Sequence, residues 1–355
     1  MIYVCNVPGL KKWDNPVEIK NILEDLEKYK NNIVGIELCS NSIGENCAKA
    51  IGEKLKGLKN LREIDLSDCF VTRDINELPK CLKHLLEAVA DKPIKILKLN
   101  HNALGPSAAP GYELFFKKNK TLEELYLDNC GMGPVGTPNL MKILIENKDM
   151  PLKVLSIARN KMESVGCNSI SELLKNKKSL ISIKISDNEI DSQGFELFLN
   201  TIKDNENIIS LDIHNNILSS KVKIFPEVIG SLTNVYKLDL SDLTIENDDL
   251  VKKLFEELPK LEKLEAFSFE YNISDIDLGS EKKKQKFVSE LFECLLKIKN
   301  IKEIHLENNE IPKDVYSKYA SEFTNKKLSL FSCFSEEEIM NDEDGENIDM
   351  TDLNK

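Results

Sequence analysis

The stretch Leu122–Gly133, LEELYLDNCGMG, constrains the fold more than any other, because the rest of the chain repeats it. Leucines at 122, 125 and 127, a cysteine at 130 and an apolar residue at 132 spell L-x-x-L-x-L-x-x-N/C-x-L, the leucine-rich-repeat pattern. Side-chain alternation turns Leu125 and Leu127 inward on a short strand. Residue 130 then needs a side chain that bonds backbone groups where the chain turns. Equivalent positions fall at Asn41, Cys69, Asn102, Cys130, Asn160, Asn188, Asn216, Leu243, Asn272 and Asn309. Their intervals are 28, 33, 28, 30, 28, 28, 27, 29 and 37 residues. Such a period gives each turn a strand and a true helix. The expected fold is therefore an α/β leucine-rich-repeat horseshoe, ribonuclease-inhibitor-like, of about ten β-α repeats with an inner parallel sheet and outer helices. Ten strands at interstrand spacing make a sheet roughly 45 Å long. Leu243 cannot make the amide's bonds, so its turn must be held differently.

Around this array the sequence divides into three parts. Residues 1–32 form an N-terminal cap. There, Asn15 is a helix N-cap, Pro16 follows it, and Val17, Ile19, Ile22, Leu23 and Leu26 make an apolar stripe. Residues 33–334 form the repeat domain, with helical halves read at 47–58, 112–119 and 250–258. Residues 335–355 hold nine Asp/Glu and one Lys, a segment expected to be a disordered acidic tail. Two intervals are long. The first places Arg73 in the loop between IDLSD and a helix beginning near Glu77–Pro79. The second contains the Glu/Lys-rich run at 281–286, read as a solvated helix start. Insertions of this kind map to loops that often bind.

Charge and cysteines narrow the function classes. The net charge of −12 leaves −4 on residues 1–334 once the tail's −8 is removed. No basic stripe suits phosphate binding, so nucleic acid is excluded as a partner. No apolar run reaches the ~20 residues of a membrane span, and MIYVCNVPGLKKWDN lacks a signal peptide's pattern. Nine cysteines without a C-x-x-C pair fit a reducing compartment.

No phosphate loop, nucleophile elbow or H-E-x-x-H is present. His84, His101, His214 and His305 fall in different repeats without metal-ligand spacing, so neither a metal nor a cofactor site is expected. Gly44, Gly105, Gly131 and Gly133 read as turn glycines. What stands out is a row of polar residues beside the strands: Asp65, Asp68, His101, Tyr126, Asp128, Asn129, Arg159, Asp187, Asp212, Asp239 and Asp242. On the concave face or its rim, these residues suggest a docking surface for a basic protein, with Asp68, His101, Tyr126, Asp128, Arg159 and Asp187 as its partner-binding core.

SNSIG (40–44), LSDCFVTRDINELPKCL (66–82), LNHNALGP (99–106), LYLDNCGMGP (125–134) and ARNKMES (158–164) resemble segments of the Ran GTPase-activating protein (RanGAP) family. The resemblance covers Ile33 to Ile190 and continues as plain repeats to about Leu330; an acidic tail is also a family habit. It implies stimulation of GTP hydrolysis by the small GTPase Ran, which keeps cytoplasmic Ran in its GDP form for nucleocytoplasmic transport. Arg73 matches the family's functionally important loop arginine and Asn129 the asparagine set against the GTPase active site, which implies that both act as activator residues near the partner's nucleotide. The implied mechanism inserts no arginine finger but orders the GTPase's own glutamine. The chain is then an activator without a catalytic centre of its own, acting on GTP-bound Ran, with Ran-binding proteins as further partners. It would be a monomer, cytoplasmic or perinuclear, and the GTP and Mg²⁺ would belong to the partner. Asp74 and Ile75 depart from the family, which often carries a basic residue at position 75. Cys130 replaces a commoner asparagine, and no extra C-terminal domain of the vertebrate kind is expected. The rival reading is a non-catalytic repeat scaffold or inhibitor gripping another basic protein.

Overall fold

A computed structural model describes residues 1–5, 11–203, 205–274, 276–325 and 329–331. The segment 335–355, expected to be a disordered tail, lies outside them. Twelve parallel strands form one continuous sheet in which the strands of successive repeats are neighbours throughout. Ten of them are the repeat strands read from the sequence, from Gly35–Glu37 through Glu124–Tyr126 to Glu303–His305. The flanking two were not anticipated. Ile2–Val4 pairs with Gly35–Glu37, and Ser329–Phe331 pairs with Glu303–His305. Each end strand of the array therefore has a hydrogen-bonded neighbour instead of an open edge.

Every repeat strand is only three residues long, and its central side chain enters the core. Ile64, Leu97, Leu125, Leu155 and Ile183 are at most 1% exposed, while their strand neighbours are half-buried, apart from the buried Ser156. After each strand the chain turns and returns as a helix, among them Glu45–Gly57, Leu78–Glu87, Gly133–Glu146 and Asp248–Glu257. The helices of adjacent repeats pack on one another along the outside. Glu281–Leu295 begins with exposed Glu281, Lys282 and Lys283, as read. The cap differs in detail. Asn15 and Glu18 form a capping box, but the first turn, Pro16–Ile19, is a tighter 3₁₀ turn before the α-helix Lys20–Lys28. That tighter winding takes Val17 off the stripe, leaving it 74% exposed while Ile19, Ile22 and Leu26 are buried.

The ladder positions are all buried. The Asn188 Oδ1 accepts from the Asn160 backbone N–H at 2.9 Å, and its Nδ2 donates to the carbonyls of Ile157 (2.9 Å) and Ile185 (3.0 Å). One amide thus joins two turns. Asn102, Asn160, Asn216, Asn272 and Asn309 repeat the scheme. Cys69 and Cys130 keep half of it, donating Sγ–H to the carbonyls of Leu38 and Leu99, each at 3.1 Å. Backbone carbonyls replace the missing acceptor: Ile43 N–H reaches Cys69 O, Gly105 N–H reaches Cys130 O, and Leu218 N–H reaches Leu243 O. That is how the turn at Leu243 is held.

A second ladder, absent from the sequence reading, runs along the helix C-termini. Lys92 Nζ donates to the Leu58 carbonyl (3.1 Å), Asn119 Nδ2 to Lys92 (2.8 Å) and Asn147 Nδ2 to Asn119 (2.8 Å). Lys177 Nζ, in a side chain with only 4% of its residue surface exposed, donates to the carbonyls of Asn147 and Met150. Burial holds the Lys177 amine below the usual lysine range.

Asn188→Ala strands a donor and two acceptors in the core and should lower unfolding free energy by about 3 kcal/mol. Cys130→Ala, losing one weak bond and a sulfur, should cost about 1 kcal/mol. Urea unfolding followed by circular dichroism measures both; equal losses would show that the amide does not link the turns.

Candidate functional site

The residue before each ladder position has a left-handed backbone in all ten turns. Its φ is 61° at Ser40, 55° at Asp68, 59° at His101, 55° at Asn129, 57° at Arg159 and 55° at Asp187. The series ends with Asn215, Asp242, Tyr271 and Asn308. Asn, Asp and His tolerate this region best among side-chain-bearing residues, which accounts for much of the row's composition. Six of the polar residues singled out in the sequence, Asp68, His101, Asn129, Arg159, Asp187 and Asp242, therefore lie along one rim. His101, Asn129 and Arg159 are exposed; Asp68, Asp187 and Asp242 are half-buried.

The remaining predicted residues lie in two rows on the sheet. Asp65, Tyr126, Asp212 and Asp239 end their strands and are in register with Lys98, Ser156 and Lys184. Asp128 stands two residues further on. It accepts from Ser156 Oγ (2.6 Å) and Ala158 N–H (2.9 Å), so its carboxylate fixes the adjoining turn. Tyr126 donates to Glu124 Oε2 at 2.7 Å. The acidity of this face is partly compensated from within, which the sequence reading did not show. Lys98 pairs with Glu63 (3.1 Å) and Asp65 (3.6 Å), Lys184 with Asp212 (3.1 Å), and Arg159 with Asp187 (3.4 Å).

His214 carries the densest of these networks. Its Nδ1 lies 2.7 Å from Asp212 and 3.5 Å from Asp239, and its Nε2 lies 3.2 Å from Asp187. Burial alone would push the imidazole down, but hydrogen bonds and charge from Asp212 and Asp239 raise its pKa to about 10. Asp239 is held below its usual range: burial pushes it up, and His214 with the Ser241 groups outweighs that. Asp212, His214 and Asp239 place ligand atoms within 4.8 Å of one another, as do Glu270, His305 and Glu307. In the first group the imidazolium already serves as the cation. In the second, burial, then Glu307 and Asp239, push the Glu270 carboxyl up. Spacing in sequence could not reveal either group, because neighbouring repeats supply the partners.

Arg73 is placed otherwise than a surface arginine paired with Asp74. Its side chain is only 2% exposed. The guanidinium donates to Asp14 and to the carbonyls of Trp13 (3.2 Å) and Ser42, with Glu77 Oε1 at 3.5 Å. It closes a three-layer corner in which Lys12–Trp13 pairs with Ser42–Ile43 and Ser42 Oγ donates to Val71. Gly44 belongs to this corner. Its backbone is extended, with φ −83°, so a turn does not require glycine there. A Cβ at Gly44 would come within 2.8 Å of Arg73 Nη1. Gly105, Gly131 and Gly133 do have positive φ, as turn glycines. Asp74 caps the next turn by accepting from Asn76 N–H at 2.8 Å, and Ile75 is 61% exposed beside it. Arg73 and Asn129 are not in contact: their turns lie two repeats apart, about 10 Å along the sheet. Asn129 instead meets His101, Nδ2 to Nδ1, at 3.2 Å.

No family model matches the chain. Curated relatives do. The chain is 32% identical over 183 residues to "Ran GTPase-activating protein" of Drosophila melanogaster, covering 48% of this chain and 30% of that protein. "Ran GTPase-activating protein 1" of Xenopus laevis is 32% identical over 176 residues, 46% of this chain and 30% of the relative. The Saccharomyces cerevisiae protein of that name is 29% identical over 177 residues, 44% and 43% of the two chains. The match thus spans less than half the length of each of these relatives. Among solved structures, a Listeria monocytogenes internalin superposes over 90% of this chain with TM-score 0.44 and 13% identity.

Two outcomes follow. His214's contribution to stability is complete below its unfolded pKa of about 6.5 and is lost as pH rises towards 10; Asp239's is complete above about 4 and is lost on acidification. Thermal melts of His214→Gln should therefore lose the alkaline decline between those two values; a decline identical to the parent's would show that another group causes it. Arg73→Ala removes the donor of the Trp13 and Ser42 carbonyls and should cost about 3 kcal/mol. Limited proteolysis should then cut the N-terminal segment sooner than in the parent.

Proposed function

We propose that this chain activates GTP hydrolysis by the small GTPase Ran. The observation that carries the reading is Asn129: an exposed amide on the rim, in the segment LYLDNCGMGP that resembles the family, within a chain similar to three Ran GTPase-activating proteins. Phosphoryl transfer to water needs positioning and charge stabilisation more than covalent help. A partner's side chain that orders the GTPase's glutamine, and so the attacking water, supplies the positioning. An activator can contribute roughly 10⁵-fold, about 7 kcal/mol, in this way.

Arg73 then acts within its own chain. Its buried guanidinium holds the Trp13–Asp14 segment and the Ser42 turn, shaping the loop that ends in exposed Ile75. The rim residues Asp68, Arg159 and Asp187 would meet Ran, with Tyr126 and Asp128 supporting them from the sheet and His101 standing beside Asn129. GTP and Mg²⁺ would arrive with Ran in its GTP-bound form, with Ran-binding proteins assisting, and this chain would act as a monomer without a cofactor. Its working place would be the cytoplasm or the nuclear periphery, where hydrolysis keeps Ran in the GDP form. The rival, a scaffold for some other basic protein, is weakened by Lys98, Lys184 and Arg159, which offset the acids expected to attract it.

The test is single-turnover hydrolysis on GTP-loaded Ran with substoichiometric chain. The expected result is acceleration of about 10⁴-fold or more that Asn129→Ala reduces at least tenfold. Arg73→Ala should lose activity only in step with its loss of folded protein. No acceleration by a folded chain, with binding indifferent to the nucleotide, would instead establish the scaffold.

A further inference from the structure

An asparagine amide has two ends of nearly the same shape and opposite hydrogen-bonding character, and rotation about its last torsion exchanges them at little steric cost. A rim asparagine that must present one end therefore needs a neighbour to choose it. For Asn129, the neighbour among the described residues is His101. Their side chains meet at 3.2 Å, and no other hydrogen bond is found to the Asn129 amide there. The two residues hold equivalent left-handed positions in adjacent turns, 28 residues apart.

The same relation recurs further along the rim. Asn215 Nδ2 donates to Asp187 Oδ1 at 2.6 Å, again between left-handed positions of adjacent turns 28 residues apart. There the preceding residue is a carboxylate, an acceptor only, so the amide end facing it must be the NH₂. An acceptor in one turn thus sets the sense of the asparagine in the next. His101 can do the same when its proton is on Nε2, leaving Nδ1 as the acceptor.

We propose that His101 is a positioning residue: its Nδ1 accepts from the Asn129 NH₂ and fixes Oδ1 of Asn129 as the outward acceptor. This deepens, and rests on, the reading of Asn129 as the residue that meets the partner's glutamine. The outward Oδ1 receives that glutamine's NH₂ and leaves the glutamine's own oxygen directed at the attacking water. An Asn129 turned the other way would compete for that oxygen. His101 touches neither nucleotide nor water.

Steady-state hydrolysis of GTP-loaded Ran should be compared for the parent, His101→Leu, His101→Asp and Asn129→Ala, with thermal melts of each. Leucine cannot accept, so kcat should fall about tenfold while KM stays within about twofold. Aspartate, the residue that performs this task at position 187, should restore kcat to within about threefold of the parent. A His101→Leu variant that keeps full kcat while Asn129→Ala loses it would overturn the inference alone. A rise in KM without a fall in kcat would also overturn it, making His101 an ordinary contact. An Asn129→Ala variant with parental kinetics would remove the underlying reading and this inference with it.

Discussion

The buried asparagine amide at the turn is the interaction on which the rest of this molecule depends. A three-residue strand supplies too few backbone bonds to define a repeat, and one inward side chain per strand supplies too little core. The amide adds the missing specification by accepting from one turn and donating to carbonyls in the preceding turn and its own, wholly out of water. Once it is in place the chain's path is determined on both sides. The residue before it is forced into the left-handed region, and the chain after it enters the helix. The rim on which the candidate site stands is thus a by-product of the ladder. What Asp68, His101, Asn129 and Arg159 share is a backbone conformation imposed by their neighbours at 69, 102, 130 and 160.

That dependence explains what the sequence disclosed. Periodicity alone located ten strands, ten buried ladder residues and the rim, since each is a local consequence of a repeated pattern. It also marked the loop after Cys69 as unusual. What stayed hidden involves partners far apart in the chain. Nothing near Arg73 announces that Trp13 and Asp14 fold over it, or that Gly44 leaves room for its guanidinium. His214 looked like an isolated histidine because Asp187 and Asp239 sit a repeat away on either side. The second ladder was overlooked for a different reason. Lysines such as Lys92 and Lys177 are expected in solvent, and only the packed helix ends show their ammonium groups serving as carbonyl caps.

The contrast between Arg73 and Asn129 bears on how the family resemblance is read. Both matched a motif, and the motif spacing treats them alike. Physically they differ: one is a buried tie between the N-terminal segment and the first two turns, the other an exposed amide hydrogen-bonded, among the described residues, to His101. A charged residue within a characteristic motif is easily assigned to the partner's chemistry. Here the Arg73 guanidinium is buried against Trp13, Asp14 and Ser42 of its own chain.

Leu243 gives the array a property that its regular appearance conceals. Where each other ladder side chain from Cys69 onward bonds a carbonyl of the turn before it, Leu243 makes no such bond, and its turn is tied back by main-chain bonds, packing and the lateral His214–Asp239 and Asn234–Glu206 contacts. In a structure whose stability is a sum of nearest-neighbour couplings, one weak coupling is a perforation. The sheet runs across it unbroken, but opening from the C-terminal side should pause there, leaving seven turns closed while three are released. The stretch of rim that holds His101 and Asn129 lies in the closed portion. The last three turns can loosen, or change in evolution, at little cost to it.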